Sequence, residues 1–358
     1  MSDDRIIQFR PLERAIMSLV AAGGSDEREA RLVASNLVLA NLCGHDSHGV
    51  GMVPRYVDAL KVGALRANQR IETKLDAGAL LSLDGRLGYG QSVGDEAMHL
   101  AIARARAHGS CIMTLANAHH LGRIGHWAEM AVAEGFVSIH FVNVLSHARV
   151  APFGGSDARF GTNPCTIGVP LEGEPAFLFD AATSAVAQGK LRVAHNKGEP
   201  VPFGWLIDDR GRPTQDPRYA VVQPFGAMLP FGEHKGYGLA VACELLGGAL
   251  TGSGTWHYEE GVRRGIVNGM LTILIDAKRL GTQEAFAREA KRFLEWLRQS
   301  PPGPEFDRVR IAGEPEREMR ARREKEGVPV DETTWREILA AGAKLGLAAG
   351  AIETLARG

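Results

Sequence analysis

Ala79-Leu-Leu-Ser-Leu83, then Gly88-Tyr-Gly-Gln-Ser-Val-Gly94, an alanine-rich run to His108, and Cys111-Ile-Met-Thr-Leu115 form one continuous stretch that sets the architecture. The apolar runs at its two ends have strand length. Ser92 to His108 has helical texture and is closed by Gly109, so the stretch predicts strand, helix, strand. A strand that leads through glycines into a helix invites a dinucleotide-binding reading. The spacing, however, is GxGxxxG, and the second strand runs into Ala116-Asn117, where a ribose-binding acidic residue belongs. The glycines are therefore read as turn and helix-packing residues.

Outward from this stretch the same alternation continues. Ile124 to Glu134 reads as a helix ending at Gly135. Strands are expected at Phe136 to Val142, Cys165 to Val169, Ala176 to Phe179 and Met270 to Ile275, and a Gly-rich apolar helix from Tyr237 to Leu250. Such alternation predicts an α/β body. The ends differ. Ser25 can cap a helix that carries Leu32, Val33, Leu37 and Ala40 at helical spacing, with Gly44 as its stop. After Pro301-Pro-Gly-Pro304 the chain turns charged and helical, from Arg317 to Glu326 and again from Glu332. Three parts follow: a helical N-terminal part (1–75), an α/β domain (76–299), and a C-terminal helical part (300–358) that packs on the first. Thr251 to Gly265 reads as a mobile loop.

Composition narrows the function classes. The chain has 358 residues with 41 Lys plus Arg against 42 Asp plus Glu, a net charge of −1. That balance lacks the basic footprint that nucleic acid or an anionic membrane requires. The four cysteines, Cys43, Cys111, Cys165 and Cys243, form no CxxC pair and sit in apolar surroundings. They are expected to be buried thiols in a reducing compartment. With neither signal-peptide pattern nor long apolar run, a cytoplasmic protein is expected.

The densest chemistry is Gly44-His-Asp-Ser-His-Gly49, where two imidazoles, a carboxylate and a hydroxyl lie within six residues. Imidazole exchanges protons near neutral pH, and a neighbouring hydroxyl or carboxylate can fix its tautomer. Asn117-Ala-His-His-Leu-Gly122 offers a second pair. Three loops suit a phosphorylated, ribose-bearing ligand. Gly161-Thr-Asn-Pro164 can pin a turn. Asp180-Ala-Ala-Thr-Ser184 can accept from ribose and donate to phosphate. Gly232-Glu-His-Lys-Gly-Tyr-Gly238 joins open glycines and a lysine to a helix N-terminus. Gln188-Gly-Lys190 lacks the leading glycine and closing hydroxyl of a P-loop.

In this order, these motifs together with Ala151-Pro-Phe-Gly-Gly155 resemble the type-2 malate/L-lactate dehydrogenase family over most of the chain. The resemblance implies a non-Rossmann α/β fold, with a central mixed-sheet domain and a helical domain from the two chain ends, usually a homodimer, and an NAD- or NADP-dependent oxidoreductase acting on small 2-oxo and 2-hydroxy acids. It implies that His48, supported by Ser47, exchanges the proton with the substrate oxygen, and that His120 is a second active-site residue. The implied cofactor positions are His48, Gly122, Arg123, Ile124, Asp180, Ala181, Ala182, Thr183, Ser184, His234, Lys235, Asn268, Gly313, Glu314, Pro315 and Glu316. Many members carry an arginine four residues after the histidine matching His48, where it grips the substrate carboxylate. Met52 stands there instead. It suggests a soft wall for a bulky substrate, phenylpyruvate- or hydroxyphenylpyruvate-like or 2-oxoglutarate rather than malate. Arg123 and Arg149 are then the candidates for the carboxylate.

Two other readings compete. A metal-dependent hydrolase or lyase would gather His45, Asp46, His48 and His119 around one ion, although no metal is expected. A nucleotide-binding regulator would hold the cofactor without turnover.

Overall fold

Pairing of the apolar runs in the middle of the chain makes one seven-stranded sheet, and the helices of the two ends pack on each other beside it. In the computed structural model, which describes residues 4–257 and 265–358, the chain begins β1 (Asp4–Ile7), α1 (Phe9–Ala22), α2 (Glu27–Leu42), α3 (Val53–Lys61), β2 (Glu72–Ala77) and β3 (Leu80–Asp84). It goes on through α4 (Gly90–His108), β4 (Ser110–His119), α5 (Gly125–Ala133), β5 (Val137–Leu145), β6 (Cys165–Val169) and β7 (Phe177–Ala181). Then come α6 (Gln188–Lys197), β8 (Leu206–Ile207), β9 (Pro213–Thr214), β10 (Ala227–Met228), α7 (His234–Cys243) and β11 (Val267–Ile275). The end is α8 (Gln283–Arg298), α9 (Glu314–Glu326), β12 (Val328–Asp331), α10 (Glu332–Lys344) and α11 (Ala349–Arg357).

The main sheet has the order β2-β3-β4-β11-β5-β6-β7. Its one parallel pair is β3 with β4, joined by the crossover helix α4; every other neighbour is antiparallel. That is the outcome expected of a non-Rossmann α/β domain, whose doubly wound counterpart would be mainly parallel. The glycines ahead of α4 are packing residues. A Cβ on Gly94 would stand 2.8 Å from the Trp127 ring, and one on Gly88 would stand 2.7 Å from Gln69 Cβ.

Leu12, Ile16, Leu19, Leu37, Tyr56, Trp335 and Ile338 share one apolar core that ties α1–α3 to α10 and α11. A second core lies under the sheet around Met98, Leu115 and Trp127, and a third, small one surrounds the β10-β8-β9 sheet.

Several boundaries differ for local reasons. Asp26, not Ser25, caps α2: its carboxylate accepts from the Glu29 N–H at 2.8 Å, while the Ser25 hydroxyl donates to the Glu29 carboxylate. β4 continues past Leu115 to His119 because β11 pairs with it as far as Val267. The apolar helix starts at His234 and becomes a π-helical turn over Glu244–Ala249. There Gly247 and Gly248 press on β5, leaving 2.7 Å between a Gly247 Cβ and Asn143 N. Part of the loop expected from Thr251 to Gly265 lies outside the described residues. The four cysteines are free and buried, and no helix of the described residues is long and apolar enough to cross a membrane.

Candidate active site

The loop after α2 is fastened from both ends of the chain. Gly44, at φ +83°, ends the helix. Asn41 then spans the loop: its side-chain oxygen accepts from the Val50 N–H at 2.8 Å, and its amide donates to Asp46 at 2.6 Å. Arg323 of α9 donates both outer nitrogens to the Asp46 carboxylate, at 2.7 and 3.1 Å. Asp46 is thus an anchor and does not orient His48. His45 points to Glu316 Oε1 at 3.4 Å, and that hydrogen bond holds the Glu316 carboxyl below its usual value.

This fixes the short 3₁₀ turn Asp46–His48 with His48 facing inward. Its ring lies over that of His120, centroids 5.6 Å apart and planes 15° from parallel. His120 is set by the end of β4, where Gly90 allows the backbones to touch: a Cβ there would come within 2.3 Å of the His120 carbonyl oxygen. Tyr56 of α3, fully buried, places its hydroxyl 2.7 Å from His120 Nδ1 and receives a hydrogen bond from the Gln91 amide nitrogen at 2.8 Å.

The two supports differ in kind. With Gln91 donating to it, the Tyr56 hydroxyl has its own proton free for His120 Nδ1, which keeps His120 neutral with the proton on Nε2. Ser47 Oγ, 3.0 Å from His48 Nδ1, can donate to a bare nitrogen or accept from a protonated one. His120 is therefore built as a fixed donor, and His48 as a ring whose proton can move.

His48 keeps partial solvent contact, but the protein around it lowers its pKa to about 4. Nearby His45 adds to that shift, and Asp180 opposes it. Burial, with His48 and His119 beside it, pushes His120 well below its ordinary value. His119 turns away, edge-on to Tyr56 at 5.4 Å and 79°, and burial lowers it to about 4. Among the described residues no three His, Cys, Asp or Glu side chains converge on a point that could hold a metal. Nothing in this geometry supports the hydrolase or lyase reading.

The remaining positions surround this pair. Asp180 accepts from the Gly125 N–H at 2.9 Å and the Thr166 hydroxyl at 2.7 Å, and Arg123 Nη1 lies 4.0 Å away. Arg123, 2% exposed, is paired with Glu129. Thr183 donates to the Thr162 and Asn163 carbonyls and Ser184 to that of Val186, so neither hydroxyl is the free phosphate donor expected from the sequence. Ala181 ends β7, and Ala182 follows it. Phe231 N–H donates to the Thr183 carbonyl, which brings the start of α7 beside this loop. There Gly232 leaves open space, and His234 and Lys235 are exposed. Asn268 sits buried under the 120–122 turn, accepting from the Leu121 N–H at 2.9 Å, with Gly122 and Ile124 in the same segment. Gly313, at φ +93°, caps α9, and Glu314, Pro315 and Glu316 form its first turn. The Ala312 carbonyl accepts from the Leu178 N–H of β7 at 3.1 Å.

A family model described as malate/L-lactate dehydrogenase matches residues 7–339. The chain belongs to the malate/L-lactate dehydrogenase family. It is 45% identical to hydroxycarboxylate dehydrogenase B of Escherichia coli strain K12, over 94% of this chain and 93% of that protein. It is 43% identical to an L-lactate dehydrogenase of Cupriavidus necator, covering 86% and 88%. The solved sulfolactate dehydrogenase of Methanocaldococcus jannaschii matches with a TM-score of 0.86 and 32% identity, over 97% and 99% of the two chains.

In this malate/L-lactate dehydrogenase family member, Met52 is buried in the core of the helical ends, so it is not the open wall expected above. Tyr56, Gln91, Asn41 and Arg323 went unread in the sequence. Tyr56, Gln91 and Arg323 act through partners far along the chain, whereas Asn41 works within its own loop, on Asp46 and Val50.

Proposed function

We propose that the chain is an NAD- or NADP-dependent 2-hydroxycarboxylate dehydrogenase that interconverts 2-oxo and 2-hydroxy acids. The observation that carries this is the stacked pair of imidazoles, one with a movable proton and one fixed as a donor. In the oxidative direction His48 takes the proton of the substrate 2-hydroxyl, and in reduction it returns it. His120 donates its Nε2 hydrogen to the same oxygen. A nicotinamide dinucleotide, when bound, supplies the hydride chemistry at C2.

The chain has the parts to hold such a group. The N-terminus of α7, with Lys235 and open space at Gly232, suits its phosphates. The backbone of Asp180–Ser184 and the first turn of α9 border the same region. Arg149 holds the substrate carboxylate. It forms no ion pair among the described residues and rests on the Phe225 ring at 5.4 Å, whereas Arg123 is spent on Glu129 and Asp180. The substrates proposed are phenylpyruvate- or hydroxyphenylpyruvate-like 2-oxo acids or 2-oxoglutarate, on the likeness to a hydroxycarboxylate dehydrogenase and not on the buried Met52.

Three further features belong to this proposal: the division of the chain, a homodimer and a cytoplasmic location. The division near residues 75 and 299 is supported by the separate core of the chain ends, although Glu72–Ala77 already joins the sheet. A homodimer is supported by Phe286, Phe293 and Trp296, which α8 leaves exposed. A cytoplasmic location is supported by the four free thiols.

The test is a panel of 2-oxo acids (phenylpyruvate, hydroxyphenylpyruvate, 2-oxoglutarate, oxaloacetate and pyruvate) against NADH and NADPH, followed at the nicotinamide absorbance band. Turnover of at least one acid is expected. Cofactor binding without turnover of any would leave a nucleotide-binding regulator instead.

A further inference from the structure

Gly161-Thr-Asn-Pro164, the segment that leads into β6, joins three elements through one side chain. Asn163 is fully buried. Its side-chain oxygen accepts from the Val144 N–H of β5 at 3.0 Å. Its amide nitrogen donates to the Ala240 carbonyl of α7 at 3.2 Å and to Glu244 Oε2 at 2.8 Å, so both amide hydrogens are spent. Its backbone carbonyl accepts from the Thr183 hydroxyl at 3.0 Å.

This junction departs from ordinary backbone on both sides. Asn163 sits at φ +29°, a left-handed region that non-glycine residues seldom enter and that asparagine tolerates through its short polar side chain. Glu244 opens the π-helical turn that follows α7, a form that is rare and collects at functional sites. Its other oxygen accepts from the Trp256 N–H at 2.7 Å. Both carboxylate oxygens therefore face donors, and the group is held fixed against Asn163.

The elements joined here are the two that border the dinucleotide in the oxidoreductase reading above: the Asp180–Ser184 backbone and α7. Thr183 ties the first to Asn163, and Ala240 and Glu244 tie the second. Ahead of α7, the Phe231 N–H donates to the Thr183 carbonyl at 3.0 Å, so loop and helix meet at both ends of one frame. We propose that Asn163, held by Glu244, is a positioning residue for dinucleotide binding. It sets the spacing between the Asp180–Ser184 loop and the N-terminus of α7 and, being wholly buried, does so without touching the dinucleotide. This rests on the oxidoreductase reading.

The experiment exchanges donor and acceptor. Asn163→Asp keeps the size of the side chain and its bond to Val144, but turns an oxygen toward the Glu244 carboxylate. Glu244→Gln keeps the bond to Trp256 and turns an amide toward Asn163. In the double variant the amide at 244 donates to the carboxylate at 163, and the net charge returns to that of the wild type. Each single variant should raise the Kd of NADH or NADPH, read by fluorescence titration, by about tenfold, with a matching rise in its KM. The kcat at saturating dinucleotide and the KM of the 2-oxo acid should stay within about twofold of the wild type. The double variant should bind more tightly than the two single effects added together allow. A lower melting temperature with unchanged Kd would overturn the proposal, and so would strict additivity. Should Asn163→Asp fail to fold, Glu244→Gln alone decides on the same Kd and KM readings.

Hydrogen exchange on the dinucleotide-free protein separates this from failure of the parent reading. Amides of residues 183–184 and 231–236 should exchange faster in Asn163→Asp and slow again in the double variant. If the wild type binds neither NADH nor NADPH, that pattern still supports Asn163 as the residue that sets loop against helix, and unchanged exchange sinks it.

Discussion

The imidazole of His48 lies over that of His120, 15° from parallel at a centroid distance of 5.6 Å, and each ring rests on a different hydroxyl. Ser47 sits at the open side of the pair and Tyr56 at the buried side. One ring can exchange its proton beside solvent while the other is locked from behind. This asymmetry separates the proton carrier from the hydrogen-bond donor.

Removing the carrier should cost more than removing the donor. His48→Ala is expected to lower kcat by about 10²–10⁴-fold, and His120→Ala by about 10²–10³-fold. Both should fold, as far-UV circular dichroism and a cooperative melt would show. Near wild-type kcat in both variants would refute the assignment.

Tyr56→Phe keeps the ring and deletes the hydroxyl, leaving the buried Gln91 amide without its partner and His120 Nδ1 unsupported. Stability should fall by about 1–3 kcal/mol, the cost of an orphaned buried polar group. Freed from its fixed tautomer, His120 should donate less well, so kcat drops while KM for the cofactor stays near the wild-type value. Steady-state kinetics and a chemical melt test the two parts separately.

The sheet and both histidine loops were legible because their signals are local. A strand-length apolar run, the GxGxxxG spacing before α4 and two imidazoles in six residues all lie within a few turns of chain. What stayed hidden depends on distant pairing. β1 reads as nothing by itself; its four residues become a strand because Val328–Asp331 returns from the other end of the chain, with Ile7 opposite Val328. Asp46 reads as a partner for His48 until Arg323 arrives from α9 to claim it. Thr183 and Ser184 look like phosphate donors until nearby carbonyls take up their hydroxyls. Met52 reads as part of a substrate wall because the resemblance puts it where many members carry a substrate-gripping arginine, and a resemblance does not say which way the side chain faces here.

The direction of the pH effect on activity follows from His48, held near 4 by burial. Oxidation of a 2-hydroxy acid needs the neutral ring, so its kcat/KM should stay level on acidification and fall only as pH drops through about 4. Reduction needs the protonated ring, so its kcat/KM should climb as pH falls toward that value, about tenfold per unit at most. His48→Gln should flatten both profiles. A bell centred on neutral pH in the wild type would mean that another group carries the proton.

Gly49 has no room for a side chain: a Cβ would stand 2.1 Å from Asn41 Oδ1, the atom that accepts from the Val50 N–H. Gly49→Ala should push Asn41 off both ends of the loop. The expected loss is about 1–3 kcal/mol of stability, together with a fall in kcat as the His48 turn loosens. Gly350→Ala on α11, where nothing lies within 4 Å, is the control and should raise stability by roughly 0.5–1 kcal/mol. Equal melting temperatures for the two variants would remove Asn41 from this role.

Acid should unfold the protein through its buried histidines. Burial holds His140 near 3 and His119 near 4, whereas both titrate at about 6.5 once unfolded. Between those values the unfolded chain binds more protons than the folded one, so stability rises with pH and is lost on acidification from about 6.5 downward. Each such ring contributes a slope of about 1.4 kcal/mol per pH unit within its window. Glu29 works in the opposite sense, since burial raises its carboxyl and the folded chain there holds a proton that the unfolded chain releases. His140→Gln removes one ring from the first group. Its urea-unfolding free energy, measured from pH 7 to 4.5, should decline less steeply than the wild type by about one ring's share, and parallel slopes would show that His140 does not titrate on unfolding.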